Sequence, residues 1–502
     1  ESNNSWYYEI GDTNKLIYMN LGGPNAQENQ WSRRLEPNGG EFSTVPVAVV
    51  TGSGINDVVA EMTKYRRHII RQCAPDKKLP TIFNEYMHLS WDSPNEARTA
   101  IVAPSVAGLG VKYYVIDCGW HDECEVQDIY RMCGEWRPSK KRFPSGLKKT
   151  IDMIHACGMK AGVWLEPEII GADCEKMEAY YGDECFMRRN GEKIVAGSRK
   201  FLDFRNKKVC DYLSKTVDML VRDGVDYIKF DYNQDVGAGT EKDAISLGDG
   251  LTRNAAAYFD WVKSVMDKYP ALIIEACSSG GQRMDYKTLS LHPIVSTSDQ
   301  TDYRKYPHIA ANILSAVLPE QAAVWSYPVD SPFEINAQKD ETPESANARI
   351  GDEQVIMNMV NAMLGRMHLA SAVHLLDDRK RSLIKEGIRC FDSLSAVKKT
   401  AVPYFPLGFD NFYSDCAAAG LVVKNALYLA VWNLNGNHEI CVPVPEYKVK
   451  NLRQMYPSAE SEPIGKNGER ATFFAEEHLL KFMLPPGYTA RFFVADLQTK
   501  GR

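Results

Sequence analysis

The feature that most constrains the fold is an alternation between short β-rich runs and helix-length amphipathic stretches across residues 75–400. Stretches such as LKKTIDMIHACGM and VCDYLSKTVDMLVRDG are long enough for helical crossovers, which indicates parallel strands between them. Eight such strands close naturally into a (β/α)8 barrel. An open doubly wound sheet is the rival fold, but no Gly-x-Gly-x-x-Gly phosphate turn follows any run. The eight β-rich runs are TIFNEY (81–86), KYYVID (112–117), KAGVWLEPE (160–168), VDYIKFD (225–231), ALIIEAC (271–277), IVSTSD (294–299), AAVWSY (322–327) and MHLASAV (367–373).

Two further β-rich segments flank this region. Residues 1–50 contain the alternating runs WYYEIG, KLIYMNLGG and STVPVAVVTG, which are too few strands to close a sandwich alone. Residues 401–502 show the same β-rich runs separated by turn residues, namely LVVKNALYLAVWNLNG, EICVPV, ERATFFAEE and YTARFFVAD. We therefore predict an α/β protein with a (β/α)8 TIM barrel over residues 51–400. The end of an N-terminal β-sandwich domain (1–50) would precede it, and a C-terminal antiparallel β-sheet domain (401–502) would follow it.

The composition excludes several functional classes. Lys and Arg number 59 against 65 Asp and Glu, and no basic stripe occurs, so nucleic acid is not an expected partner. No run approaches the roughly 18 apolar residues that a membrane span needs. Twelve cysteines in 502 residues are too sparse for a disulfide scaffold, so a cytoplasmic protein is the default expectation. Because the chain begins at Glu1 rather than Met, we expect its natural N-terminus to lie upstream, which leaves secretion open.

Three cysteines and a histidine lie close together in the run CGWHDECEVQDIYRMCGEW. Cys118, Cys124 and Cys133 are spaced by six and nine residues around His121, and these spacings match no zinc-finger or ribbon pattern. The sequence therefore predicts neither a metal site nor a cofactor. A metal-dependent barrel hydrolase stays as an alternative that a chelator would reveal.

Polar residues at the carboxyl ends of barrel strands face the active site in this fold. At the predicted strand ends no histidine is paired with a Ser or Cys nucleophile, so the chemistry on offer is that of carboxylates. In a barrel this favours glycoside hydrolysis, in which two carboxyls flank the scissile bond and aromatic rings, here Trp120 and Trp164, stack on the sugar. The ring of strand-end residues is Asn84, Glu85, Asp117, Trp164, Glu166, Glu168, Lys229, Asp231, Glu275, Cys277 and Asp299.

Asp231 and Asp299 are the predicted catalytic pair. Lys229 lies two residues before Asp231 on the same strand face and would lower the pKa of its carboxyl, as a nucleophile requires. Asp299 ends a run two strands later, and strands four and six of a narrow barrel can hold two carboxyls about 5 Å apart, the spacing of retaining enzymes. Each aspartate could instead cap a helix or close a surface turn.

Five motifs in order also carry a resemblance to a known family: VIDCGWHDE, FPSGLKKTIDMIHACGMKAGVWLEPE, DYIKFDYNQD, ACSSGGQRMD and STSDQTD. They resemble glycoside hydrolase family 36, the melibiase-type α-galactosidases and α-N-acetylgalactosaminidases, over roughly residues 40–500. The resemblance implies a large N-terminal β-supersandwich, a barrel and a C-terminal β-sheet domain. This chain would then be N-terminally shortened.

The resemblance also implies residue roles. Asp231 matches the nucleophile of a Lys-x-Asp motif, and Asp299 matches the acid/base of a Ser-Asp-x-Thr-Asp motif, within a retaining mechanism. Lys229 matches a lysine that contacts a ring hydroxyl. Asp235 lies where the sequence departs from the family pattern and is added as an extra carboxylate. The predicted substrate-binding positions are then Asp117, Cys118, Trp120, Trp164, Arg199, Lys229, Asp235, Cys277 and Gly280.

One departure from the family pattern concerns the sugar site. The family's Asp-Asp-Gly-Trp motif reads DCGW at 117–120, so the thiol of Cys118 replaces a carboxylate. Hydrogen bonds to the 4- and 6-hydroxyls, each worth about 1.5–3 kcal/mol, would be lost. Either a nearby residue supplies them or the substrate differs from plain α-galactose. The candidates close in sequence are His121, Asp122 and Glu123.

The sequence thus predicts a retaining, exo-acting glycoside hydrolase that releases terminal α-linked galactose-type sugars. One alternative is an α-N-acetylgalactosaminidase or α-galactosaminidase, since Asp235 could pair with the ammonium of a C2-amino sugar. An alternative of another class is a non-catalytic carbohydrate-binding protein. The expected partner is an oligosaccharide or glycoconjugate with a terminal α-galactosyl-type residue. Neither nucleic acid nor a membrane is expected, and a homo-oligomer stays open.

Overall fold

The computed structural model describes residues 7–35, 40–331, 341–436, 439–464 and 470–499. Their strands are β1 Tyr7–Thr13, β2 Leu16–Gly22, β3 Ile82–Asn84, β4 Tyr113–Ile116, β5 Lys160–Leu165, β6 Ile169–Gly171, β7 Arg188–Arg189, β8 Glu192–Lys193, β9 Val195–Ala196, β10 Arg199–Phe201, β11 Tyr227–Phe230, β12 Ile273–Ala276, β13 Ile294–Ser296, β14 Ala322–Ser326, β15 Arg366–Leu369, β16 Val402–Tyr404, β17 Cys416–Val423, β18 Ala426–Leu434, β19 Ile440–Pro443, β20 Tyr447–Tyr456, β21 Thr472–Ala475, β22 Leu479–Met483 and β23 Tyr488–Thr499.

The helices lie mainly between the strands of the central region. They are α1 Ala26–Asn29, α2 Ile55–Ile69, α3 Glu96–Ala107, α4 Ile129–Met132, α5 Leu147–Ala156, α6 Glu175–Tyr181, α7 Lys207–Arg222, α8 Leu247–Lys268, α9 Tyr286–Leu291, α10 Tyr306–Asn312, α11 Pro343–Arg349, α12 Asp352–Asn361, α13 Asp378–Ser393 and α14 Ser395–Lys398. Asparagine, serine or aspartate side chains cap the N-termini of several, as Asn206 does for α7 and Ser246 for α8. Among the described residues, no helix is both long and apolar enough to cross a membrane.

Eight parallel strands close into a barrel, which confirms the predicted fold. The order is β3–β4–β5–β11–β12–β13–β14–β15, and β15 pairs back onto β3. All eight predicted runs supply one strand each. The helical stretches LKKTIDMIHACGM and VCDYLSKTVDMLVRDG form α5 and α7, also as predicted.

The barrel interior is filled in layers because successive side chains of a strand point to opposite faces. The layer nearest the amino ends of the strands is a separate apolar cluster: Ile82, Tyr113, Val115, Tyr227, Ile273, Ile294 and Ala323. Two or four residues further along, the same strand faces carry Asp117, Lys229, Asp231 and Cys277. The alternation that buries the apolar layer therefore directs these polar side chains to the carboxyl end of the barrel.

The N-terminal described segment is an antiparallel hairpin of β1 and β2. The run STVPVAVVTG (43–52) was expected to form a strand, and that prediction is wrong, because all ten of its residues are described and none of them belongs to a strand. An extended segment becomes a strand only when a neighbour accepts and donates its backbone hydrogen bonds, and none pairs with this run. The division into three domains at residues 50 and 400 stays a prediction.

The C-terminal region is antiparallel, as expected. One sheet has the order β16–β17–β18–β23–β20 and another β19–β22–β21, and an apolar core lies between them. Two buried contacts join this region to α12 of the barrel. Trp432 Nε1 donates to Asn361 Oδ1 at 2.8 Å, and the buried Arg491 pairs with Glu353 and Glu462.

Candidate active site

A buried lysine on β11 lies at the centre of the polar cluster. Lys229 Nζ is 3.0 Å from Asp117 Oδ2, and both side chains are almost fully buried. Although burial alone lowers a lysine's pKa, Asp117, Cys277, Asp231 and Glu275 together raise the pKa of Lys229 well above its ordinary value. The ammonium is therefore permanently charged and provides a fixed positive field at the mouth of the barrel.

Asp231, at the end of β11, is held as a carboxylate. Its Oδ2 accepts from Trp164 Nε1 at 2.9 Å, and its Oδ1 accepts from the backbone amides of Tyr232 at 2.8 Å and Ser279 at 3.3 Å. Burial raises the pKa of Asp231, but Lys229, Trp164 and the Cys277 thiol more than offset it and leave the pKa below its ordinary value. Asp231 is 7% exposed, so this anion is largely desolvated.

The pKa of Asp299, which follows β13, is shifted in the opposite direction to that of Asp231. Desolvation by the surrounding protein raises its pKa, and Lys229 only partly opposes the shift. The residue is nevertheless exposed to solvent, so its carboxyl is accessible from outside the barrel. It interacts electrostatically with both Asp231 and Asp117, so the structure brings the two predicted catalytic carboxyls together around one lysine.

Trp325 is a site residue that the sequence analysis missed. Its Nε1 donates to Asp299 Oδ1 at 3.4 Å, and its ring lies 5.6 Å from Lys229 Nζ. Trp325 is on β14, two residues after Ala323 of the interior layer, so strand alternation directs it into the mouth. Reading the seventh predicted strand for inward positions would have found it.

The loop after β12 links the two acids. Ser279 donates to Asp231, and Gly280 packs against the backbone of Ser298 and Asp299. Gly280 has a φ of +80°, a conformation that side-chain-bearing residues rarely adopt. A Cβ there would lie 2.6 Å from the backbone nitrogen of Asp299. Glycine at this position therefore sets the distance between the two loops.

Replacing Gly280 by alanine is expected to lower both stability and kcat/KM, whereas Gly191→Ala lowers stability alone. Both glycines have a φ of +80°, so each alanine adds roughly 1–2 kcal/mol of backbone strain. Only at Gly280 does the new methyl group meet other atoms; at Gly191 nothing lies within 4 Å. The methyl group of Gly280→Ala should displace Asp299 and so lower kcat/KM roughly 10–100-fold. Thermal unfolding and kinetics check this, and equal kinetics in both variants would contradict it.

The other predicted binding residues lie around this centre. Asp117 Oδ2 also accepts from Asn84 Nδ2 at 2.5 Å, and its Oδ1 accepts from the backbone of Cys118 at 2.8 Å. Trp120 and Trp164 are buried and joined, because Trp120 Nε1 donates to the Trp164 carbonyl at 2.7 Å. Because both indoles are almost fully buried, neither exposes a face for a sugar ring, and the expected stacking by these two residues is wrong. Trp164 instead positions Asp231, to which its N–H donates.

Arg199 and Asp235 do not contact the two predicted catalytic carboxyls. The Arg199 guanidinium is buried against Glu166, with Nε 3.0 Å from both carboxylate oxygens. Glu166 also accepts from the backbone of Asn233, two residues after Asp231, so the pair braces this loop. Asp235 is exposed, and its carboxylate closes a turn with the Gly237 amide at 2.8 Å.

Several strand-end acids of the predicted ring form hydrogen bonds or ion pairs with residues outside the cluster around Lys229. Glu85 accepts from Tyr114 and Thr99 on the helical side of the barrel, and burial raises its pKa to about 7. Glu168 pairs with the buried Arg283 at 2.6 Å. Glu275 lies a layer deeper, where Ser296 donates to it at 2.5 Å. In the part of the chain that the structure describes, no three His, Cys, Asp or Glu side chains are grouped as metal ligands.

Comparison with known proteins places this site in a family. The Melibiase family model matches residues 41–397, which include every residue of the cluster. The chain belongs to the melibiase family. The resemblance to the melibiase-type enzymes of glycoside hydrolase family 36 is thereby confirmed.

The two relatives of this melibiase-family chain described next share less than a third of the aligned residues with it. α-Galactosidase Mel36A of Lactobacillus acidophilus is 29% identical over 292 residues, which cover 57% of this chain and 39% of Mel36A. α-Galactosidase AgaA of Geobacillus stearothermophilus is 29% identical over 276 residues, which cover 53% of this chain and 37% of AgaA. The chain thus spans less than two fifths of either relative. The crystal structure of AgaA matches the fold with a TM-score of 0.69 at 17% identity, covering 89% of this chain and 60% of AgaA.

Proposed function

We propose that this protein is a retaining, exo-acting glycoside hydrolase that releases terminal α-linked galactose-type sugars. The observation that carries the proposal is the divergence of two neighbouring carboxyls. The pKa of Asp231 is lowered and that of Asp299 is raised although both face Lys229. Two carboxyls whose environments separate their pKa values are suited to act as nucleophile and acid.

The first half of the reaction joins the sugar to Asp231. The carboxylate of Asp231 attacks the anomeric carbon while the bond to the leaving oxygen breaks, and Asp299 delivers its proton to that oxygen. Lys229 and Trp164 hold Asp231 in its ionised form and fix its orientation. The product of this half-reaction is a covalent glycosyl ester together with ionised Asp299.

The second half reverses the roles. Ionised Asp299 takes a proton from a water molecule, and the resulting hydroxide attacks the anomeric carbon, which releases Asp231 as a carboxylate. Two inversions restore the α-configuration, and the reaction needs no cofactor. The names of the relatives support the substrate class: Mel36A and AgaA are α-galactosidases, and AgaA variants have been solved with stachyose and raffinose.

The stereochemistry of the first-formed sugar tests this proposal. Proton NMR during hydrolysis of an aryl α-galactoside should show the α-anomer of galactose before mutarotation produces the β-anomer. The β-anomer appearing first would exclude the covalent mechanism. No turnover on any α-galactoside, together with measurable galactose binding, would instead favour the non-catalytic carbohydrate-binding alternative.

The C2-amino alternative is tested with matched substrates. In this structure Asp235 hydrogen bonds its own loop, and no contact joins it to Asp231 or Asp299. We therefore expect a higher kcat/KM for an aryl α-galactoside than for the α-galactosaminide or its N-acetyl derivative. A preference for either amino sugar would reassign the substrate and leave the mechanism in place.

A further inference from the structure

The loop after β3 brings Asp92 against the wall formed by Asp117 and Cys118. Gly119 has a φ of +103°, and a Cβ there would lie 2.2 Å from the carbonyl oxygen of Asp92. Only glycine at Gly119 permits this approach. The loop is therefore fixed next to the end of β4, and Asp92 interacts electrostatically with Asp117.

Asp117 has little accepting capacity left for a sugar. Its carboxylate already accepts from Asn84 Nδ2, Lys229 Nζ and the Cys118 amide. A carboxylate has about four lone-pair sites, so one remains for hydroxyls at this wall. The Cys118 thiol is a weak donor and acceptor and cannot replace a carboxylate as a hydroxyl acceptor.

The other acids near Cys118 in sequence are engaged elsewhere. Asp122 Oδ2 accepts from the Gly134 amide at 3.2 Å and lies 2.9 Å from the His121 ring. Glu123 accepts from Ser139 Oγ at 3.1 Å and from the Lys140 amide. These contacts hold both carboxylates in their own loop.

Asp92, by contrast, is only half-buried and faces polarisable neighbours. Tyr130 donates to its Oδ1 at 2.9 Å. The Tyr86 hydroxyl and the Cys118 thiol lie close enough to this carboxylate to oppose the rise in its pKa that burial causes. The ring of Tyr86 lies 5.8 Å from Lys229 Nζ, so the group extends to the centre of the site. A sugar hydroxyl is a stronger donor than a thiol and would displace the Cys118 contact.

We infer that Asp92 is the second sugar-binding carboxylate of this site, accepting hydroxyls remote from the anomeric carbon in place of an acid at position 118. This inference rests on the proposed function. It assigns a specificity role to a residue of the β3–α3 loop. A half-buried acceptor that the bound sugar covers would be left unpaired by a substrate lacking the matching hydroxyl, and the site would therefore discriminate against that substrate.

The first test compares Asp92→Asn with a matched control. Asparagine keeps the shape but removes the charge, and kcat/KM for an aryl α-galactoside should fall about 10–100-fold, the value of one or two charge-assisted hydrogen bonds. Glu125→Gln removes an exposed carboxylate, paired with Lys141, from the neighbouring β4 loop and should have no effect. Equal kinetics in the two variants would overturn the inference.

The second test separates binding from a structural role. The 4-deoxy and 6-deoxy α-galactosides lack single hydroxyls, and the wild type should discriminate against at least one of them, whereas Asp92→Asn should not. The double variant Asp92→Asn/Cys118→Asp returns a carboxylate to the same wall and should recover most of the lost kcat/KM. A loss in Asp92→Asn that is the same for all three substrates and is not recovered would show a structural role and refute the inference.

A failure of the proposed function can be distinguished from a wrong assignment of Asp92. If the wild type turns over no α-galactoside, calorimetry of galactose binding to the wild type and to Asp92→Asn still tests Asp92. Weaker binding in the variant supports the assignment, and equal affinity refutes it.

Discussion

Asp231→Ala should lower kcat/KM for an aryl α-galactoside by on the order of 10⁴-fold or more, because the nucleophile that forms the glycosyl ester is absent. The fold should survive, since Lys229 keeps Asp117 as a partner at 3.0 Å and no buried charge is left unpaired. Steady-state kinetics with a fluorogenic α-galactoside, together with the far-UV circular dichroism of the variant, check both parts.

Azide gives this prediction its sharpest control. A small anion can enter the space left by the carboxylate and attack the anomeric carbon, so azide should restore turnover in Asp231→Ala and give a β-galactosyl azide. Asp211→Ala removes an exposed carboxylate paired with Lys207 on α7 and should match the wild type with or without azide. Unchanged activity in Asp231→Ala would remove the proposed mechanism.

The barrel could be predicted from sequence because each of its strands is a short, continuous apolar run between helical stretches. The polar layer at the mouth of the barrel followed from the same pattern: Tyr227 lies in the apolar interior layer, so Lys229 and Asp231 must point inward above it. The alternation also explains why Glu85 does not join the site. It follows the inward position Asn84 by one residue and therefore points out to Tyr114.

Residues outside the strands could not be placed in the same way. Asp92 lies in the loop after β3 and Tyr130 on the short helix α4, and no periodicity fixes how these two segments meet. Their meeting depends on Gly119, whose lack of a side chain lets one loop lie against the next. The run at 43–52 shows that an alternating pattern alone does not make a strand. Its pattern predicts one, but no described strand pairs with it.

Asp299→Asn should show a dependence on the leaving group that Asp231→Ala lacks. Asparagine cannot donate a proton to the departing oxygen, so kcat/KM should fall about 10²–10⁴-fold for raffinose or an alkyl α-galactoside. A dinitrophenyl α-galactoside departs without protonation and should form the glycosyl ester at nearly the wild-type rate. Pre-steady-state bursts of dinitrophenol measure this step, since hydrolysis of the ester also needs Asp299 and becomes rate-limiting.

The pH profile supplies the second half of this prediction. Desolvation raises the pKa of Asp299, so the wild-type acid keeps its proton to higher pH than an ordinary aspartate. As the pH rises through that pKa the proton is lost, and kcat/KM for raffinose should fall. The alkaline limb should be absent in Asp299→Asn and unchanged in Asp267→Asn, which removes an exposed carboxylate of α8. An alkaline limb that persists in Asp299→Asn would assign the acid to another group, and an equal loss with all leaving groups would make Asp299 a structural residue.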